Sequence, residues 1–397
     1  MKVAVIIDNS DSKDGGGYVF QDSLVRKFIE YSTNSKHNYI IFCHKKILNK
    51  YQDLLDKYNL NYEIYNSDGL IKNISIKILK YFPYLNNFIK LKGNLHSKML
   101  KLKIEFVWKI SPGGESFDIP YIAMVWDLMH LTHPWFPEVS SNRIWNKREL
   151  EITEFLKRSY KIITGTLAGK KEIQNFYQIP SERIEVVAHP TPDFSLPAMK
   201  HDIDIHDKYK IKGKILFYPA QFWPHKNHLI LLKVLQSLIK KGNNEFCLVF
   251  SGSDHSNKKY IETLVKNYNL SEKVFFLGFI PVEDMIVIYK NAFALIYPSY
   301  CGPENLPPLE AFHLGCPVIA SKIDGSIEQL GNAALLAEPS DTEHFVKHIK
   351  DLLYDHDLRL SLIERGYVRA KKNKTEDFIK KILLIMDRFE GIRKSWR

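Results

Sequence analysis

Two hydrophobic rhythms alternate along the chain. Short apolar runs such as Lys2–Ile7, Tyr39–Cys43, Phe106–Lys109, Tyr121–Val125 and Lys161–Thr166 read as buried strands. Between them lie segments whose apolar residues return every three or four positions, as on an amphipathic helix. In the first half these are Gln21–Ser32, Arg143–Arg158 and Ala168–Tyr177. The second half repeats the scheme, with strands at Lys214–Tyr218, Phe246–Ser251, Lys273–Leu277, Ala292–Tyr297, Cys316–Ser321 and Ala333–Leu336. Its clearest helix is His228–Lys240, apolar at Leu229, Leu232, Leu235 and Ile239; Thr375–Phe389 is the last. Strands that alternate with helices predict α/β sheets with ligand sites at the carboxyl ends of the strands.

At 397 residues the chain is too long for one ordinary core. The proline-bearing stretch Pro190–Lys212 divides it, giving an expected first domain over 1–195, a linker over 196–212, a second domain over 213–374 and a closing helix over 375–397. Cys43, Cys247, Cys301 and Cys316 lack the paired spacing of a zinc site or disulfide framework, so no metal is expected from them and a reducing cytoplasm fits. No apolar run approaches the roughly 18 residues that span a bilayer, and Met1–Asp8 reads as a first strand, not as a leader. The formal net charge of +11 is uneven: residues 36–109 hold 14 Lys against 5 acidic residues. Residues 36–110 are therefore a candidate contact with an anionic membrane surface, or else a helix whose lysines are a solvated face. No nucleic-acid recognition motif accompanies them.

Tyr297–Ser321 concentrates the chemistry. It reads as strand, loop, helix, strand: Pro298 ends the first strand, Pro307 and Pro308 suit a first helical turn, and Gly315 suits the left-handed helix end. A helix N-terminus beyond a strand favours an anion, and Glu310 in that first turn either complements the helix dipole or accepts from sugar hydroxyls. Lys226, just before the helix His228–Lys240, would reinforce such a site. Gly15, Gly16 and Gly17 follow the first strand without the dinucleotide fingerprint, since Phe20 stands at the third glycine position. Asp127 and His130, three apart beyond Tyr121–Val125, can converge on one hydroxyl or merely cap and fill. The Asp202-Ile203-Asp204 triplet lies in the linker and reads as solvated.

Leu306–Ala311 (Leu-Pro-Pro-Leu-Glu-Ala) followed by Gly315–Ala320 (Gly-Cys-Pro-Val-Ile-Ala) resembles the donor signature of family-4 retaining glycosyltransferases. The resemblance implies the GT-B fold, two Rossmann-like doubly wound domains facing across a cleft. It assigns Glu310 to the ribose of a nucleoside diphosphate sugar, the amides around Asn305 and Leu306 to its phosphates, and Lys226 to the leaving diphosphate. Gln221 stands where an arginine is common, and Gly278–Pro281, with Phe279, matches a turn that meets the base. The signature's first glutamate is replaced by Gly302, and Glu304, two residues late, is kept on the donor side. Asp127 and His130 match an acceptor-side cluster whose leading histidine is Trp126 here. The implied reaction is metal-independent, retaining transfer of a hexose-type sugar to a glycan acceptor, lipid-linked and peripheral to the membrane in surface polysaccharide synthesis. A nucleotide-sugar epimerase or hydrolase of the same fold, or a non-catalytic glycan-binding relative, are the alternatives.

Overall fold

The computed structural model describes residues 1–10, 15–65, 94–114, 116–191 and 203–396. The first domain is a parallel sheet of seven strands: β1 (Lys2–Ile6), β2 (Asn38–Cys43), β3 (Asn61–Ile64), β4 (Phe106–Lys109), β5 (Tyr121–Met124), β6 (Lys161–Thr164) and β7 (Ile184–Val186). They stand in the order β3-β2-β1-β4-β5-β6-β7. The second domain has six: β8 (Lys214–Pro219), β9 (Phe246–Ser251), β10 (Val274–Gly278), β11 (Ala294–Tyr297), β12 (Val318–Ser321) and β13 (Ala334–Ala337), ordered β10-β9-β8-β11-β12-β13. In each sheet the order reverses beside the first strand, at β1/β4 and β8/β11, and ligands of such sheets bind at that switch point.

Both faces of the first sheet are covered. Val3, Val5, Phe106 and Trp108 turn to helix α1 (Gly16–Ser32), while Ala4, Ile6, Val107 and Tyr121 turn to the opposite layer. Period-2 side chains of a two-sided sheet make this division, and it explains why the strands read as unbroken apolar runs. The helix begins earlier than its sequence period indicates: Gly16 and Gly17 form its first turn, and the Tyr18 and Val19 amides donate to the Gly15 carbonyl. Apolar periodicity cannot register a turn made of glycine.

The connecting helices follow their sequence periods closely. Among them are α2 (Leu167–Tyr177), capped by Thr166, and α3 (His228–Lys240), whose Leu231, Leu232, Val234, Leu235 and Leu238 are buried in the second core. α4 (Leu306–His313) carries prolines in its first turn, and Gly315 just beyond it has φ +73°. The last helix, α5 (Thr375–Lys394), leaves the second domain and buries Phe378, Ile379, Ile382, Ile385, Met386 and Phe389 in the core of the first. Each such burial contributes about 1.5–3 kcal/mol, so the two ends of the chain share one core.

All four cysteines are free and buried. Asp204 caps the short helix Ile205–Lys208, its carboxylate accepting from Asp207 N–H at 3.0 Å; Asp202 lies outside the described residues. Of the basic stretch, helix Lys45–Lys57 buries Ile47, Leu48, Tyr51 and Leu55 and leaves Lys45, Lys46 and Lys57 exposed, a solvated face over a core. Residues 66–93, its apolar-rich middle, lie outside the described residues. Among the described residues no helix is long and apolar enough to cross a membrane.

Candidate active site between the two domains

The loop after β8 is a 3-10 turn, Pro224–Lys226, followed by Asn227 in the left-handed region. Asn227 donates from Nδ2 to the carbonyls of Pro298 and Pro339, at 3.0 and 2.7 Å, and the Tyr300 amide donates to the His225 carbonyl at 2.9 Å. These bonds sew the turn to the loops after β11 and β13. Lys226 thereby projects its ammonium onto Tyr297 Oη (3.1 Å) and Asn305 Oδ1 (3.3 Å). Tyr297 Oη also donates to Asn305 Oδ1 at 3.0 Å, closing a triangle. Burial opposes the lysine's charge, but Tyr297 and the Asp127 carboxylate outweigh it and hold its pKa above the usual value.

Helix α4 starts at this triangle. Pro307 and Pro308 have no N–H, and the Asn305 amide is already spent on Gln329 Oε1 at 3.0 Å, with Gln329 Nε2 returning a bond to the Asn305 carbonyl at 2.9 Å. Of the amides expected near a phosphate, Asn305's is therefore occupied, and Leu306's is the one the first turn presents. Glu310, 8% exposed, accepts from Tyr289 Oη at 2.7 Å. Burial pushes its carboxyl up to about 7, with the Tyr289 hydroxyl acting the other way.

The first domain supplies the facing wall. Asp127 Oδ1 accepts from Met129 N–H (2.9 Å) and from Arg148 Nη2 (2.6 Å). Burial works to raise its pKa, but Arg148 and the amide prevail and keep it ionised, and its charge reaches His225 and Lys226 across the cleft. His130 is not brought there. Its ring is completely buried, bonded at Nε2 to Glu149 (3.0 Å) and within 3.4 Å of Tyr177 Oη. The space-filling role is the one its surroundings describe.

The glycine loop meets the second domain directly. A Cβ on Gly16 would lie 3.3 Å from Leu306 Cδ1, one on Gly15 3.8 Å from Gln221 Nε2, and Gly17 faces Trp126. The Leu306 side chain thus enters the apolar cluster of the first domain. Gln221 Oε1 accepts from Trp223 Nε1 at 3.0 Å. Phe279, beyond β10, is 54% exposed. Glu304 turns to the first domain: Oε1 accepts from His189 N–H at 2.9 Å and Oε2 lies 3.2 Å from His189 Nδ1. Gly302 stands where the signature's first glutamate is expected and has φ +106°, a conformation costly for any side chain.

Several residues here escape sequence reasoning. Tyr297 and Gln329 complete the Lys226–Asn305 arrangement, and Tyr289 holds Glu310. Glu138, on the short helix Pro137–Ser140, accepts from both His225 N–H (3.0 Å) and His225 Nδ1 (2.5 Å), so a first-domain carboxylate braces the lysine turn. Glu328 accepts from Leu167 N–H with both oxygens at 2.8 Å, at the start of α2. Only Tyr297 lay inside a recognisable motif; the others depend on contacts between segments far apart in sequence. Among the described residues, His37, Asp387 and Glu390 form the one cluster with metal-ligand atoms in mutual reach. Lys36 and the amino terminus already bridge its carboxylates, at 3.0 to 3.3 Å, on the seam of α5 and distant in fold from the cleft.

Comparison with known proteins bears on this geometry. Over 226 residues the chain is 27% identical to the O-antigen chain mannosyltransferase B of Escherichia coli, covering 56% of this chain and 59% of that protein. Over 218 residues it is 25% identical to the O-antigen chain mannosyltransferase RfbU of Salmonella typhimurium, covering 55% and 57%. The chain thus spans under three fifths of the curated relatives it matches. Among solved structures it is similar to HepE of Anabaena in complex with UDP and glucose, with TM-score 0.69, 13% identity, and coverage of 98% of this chain and 100% of that one. Residues 202–369 match the family model described as glycosyl transferases group 1, so the second domain is related to that group, and the two domains together have the GT-B fold.

Proposed function

We propose that this chain is a retaining glycosyltransferase that moves a hexose-type sugar from a nucleoside diphosphate sugar to a hydroxyl of a glycan, lipid-linked and of the surface-polysaccharide kind. The observation that carries the reading is the meeting of Lys226 with Tyr297 and Asn305 at the start of α4, one turn from Glu310. A diphosphate leaving a sugar gains negative charge in the transition state, and a fixed ammonium stabilises that charge more than it stabilises the bound donor. The sugar C1–O bond breaks with its electron pair passing to the diphosphate. The acceptor oxygen bonds to C1 from the same face, and its proton passes to a phosphate oxygen. Asp127 is ionised and faces this space, where it orients a hydroxyl. Glu310 accepts from the ribose. The names of the mannosyltransferase relatives support mannose as the first sugar to try and a surface glycan as acceptor.

Thermal denaturation with UDP, GDP and their hexose conjugates tests this directly. A ligand at a hundredfold excess over its Kd contributes about 2.7 kcal/mol, a readily measured shift. Absence of any shift across the panel would sink the reading, and a product of inverted anomeric configuration would sink its stereochemistry.

A further inference from the structure

Glu304 occupies the signature loop, yet it is spent on the other domain. Its side chain is 5% exposed, and both oxygens are engaged by His189, one by the main-chain N–H and one by Nδ1. Gly165, at the end of β6, makes room for it: a Cβ there would fall 1.1 Å from Glu304 Oε2, and the three nearest atoms it would meet all belong to the Glu304 carboxyl. Gly165 does not adopt a left-handed φ, so the carboxyl, and not backbone conformation, is what excludes a side chain. Two residues on, Leu306 seats in the first domain's apolar cluster against Gly16. Between them stands Asn305, whose side chain receives Lys226.

We propose that Glu304 is a positioning residue, a latch that fastens the signature loop to the first domain through Gly165 and His189 and so fixes Asn305 beneath the Lys226 ammonium. Burial pushes the Glu304 carboxyl up to about 8 and the His189 imidazole down to about 3. Oε1 accepts from the His189 amide, and Oε2 lies 3.2 Å from Nδ1. A glutamine keeps an oxygen for the His189 amide in a side chain of the same shape; an alanine offers none. A glutamate that held a sugar through its charge would not tolerate the same exchange.

The kinetic arm of the test rests on the proposed transfer, whereas the structural arm needs no substrate. In the unliganded full-length protein, hydrogen exchange of the His189 amide should accelerate about tenfold in Glu304→Ala and in Gly165→Ala, and stay at the wild-type rate in Glu304→Gln. Gly165→Ala inserts only one methyl group, and Glu304→Ala inserts nothing, so a folding failure of the first leaves the second to decide. Transfer should fall about tenfold or more in both alanine variants and persist in Glu304→Gln, with UDP- or GDP-induced thermal shifts unchanged in all three. Unchanged His189 exchange in both alanine variants would overturn the latch. So would Glu304→Gln losing its preference for sugar nucleotide over bare nucleotide, which would make Glu304 a sugar ligand. A wild-type protein that ignores every nucleotide would defeat the proposed transfer alone, and the exchange data would still judge the latch.

Discussion

Lys226 and Glu310 bear the largest single-residue consequences. Lys226→Ala removes the ammonium from the Tyr297–Asn305 triangle. Loss of one preorganised charge of this kind costs about 10²–10³ in turnover, so kcat should drop by that factor while the melting temperature barely moves. Because the compensating charge belongs to the protein, we expect transfer to continue at its full rate in excess EDTA, measured in the same assay. For Glu310 the sign follows from its raised pKa. Its ordinary value is 4.5 and burial lifts it to about 7, so between these values the folded state retains a proton that the unfolded state has lost. Its contribution to stability is therefore complete below about 4.5 and lost as pH rises through 7. The carboxylate that a ribose hydroxyl donates to appears over the same interval. Nucleotide affinity should accordingly strengthen through pH 7, and Glu310→Gln should flatten that profile in calorimetric titrations. At this scale the sequence exposed the charged and acidic groups, since a lysine before a helix has a recognisable context; Glu310, expected in the first turn, stands at the fifth helical position, because the helix begins at Leu306. The sequence hid what holds them: nothing local to Tyr289 or Gln329 marks either as a partner of residues 21 and 24 positions away.

The strands and most helices were legible because a two-sided parallel sheet and a one-sided helix impose different apolar periods. The start of α1 was not, since Gly16 and Gly17 form its first turn without any periodic side chain. Asp127 and His130 show the limit of spacing arguments. Three positions apart, they are parted by the short helix Met129–Thr132, which turns His130 inward to Glu149 while Asp127 stays at the strand end with Arg148. The final helix yields a prediction that only an element-level view supplies. Ile382 is fully buried in the first domain's core although it follows the whole second domain in sequence. Ile382→Ala should destabilise the first domain by about 2–5 kcal/mol, read as a lower urea midpoint in the fluorescence of buried Trp108. An unchanged midpoint would mean that α5 docks too loosely to belong to that core.

Between whole domains, the chain's periodicity was silent, because facing loops carry no repeating pattern. Among the described residues, contacts from the first domain meet the second at, among others, Glu138–His225, His189–Glu304, Leu167–Glu328 and Gly16–Leu306, and three of these involve a carboxylate. Glu138 is the sharpest test of what this seam does. Burial works to raise its pKa, but its bonds from His225 overcome this and keep it ionised; one of its oxygens is sealed without a partner. Its removal leaves a buried imidazole and an amide without their acceptor, about 1–3 kcal/mol for each donor left unsatisfied. Neither core contains that pair, so the deficit falls on the juxtaposition of the domains and leaves the stability of each intact. Glu138→Ala should therefore leave each domain's unfolding midpoint in place and enlarge the radius of gyration in solution scattering. With the lysine turn no longer braced and water admitted to the cleft, donor hydrolysis should rise relative to transfer, while bare nucleotide binds the second domain as before. Were scattering and the hydrolysis-to-transfer ratio both to stay at wild-type values, the brace would have no part in closure, and the burden would pass to the other contacts along the seam.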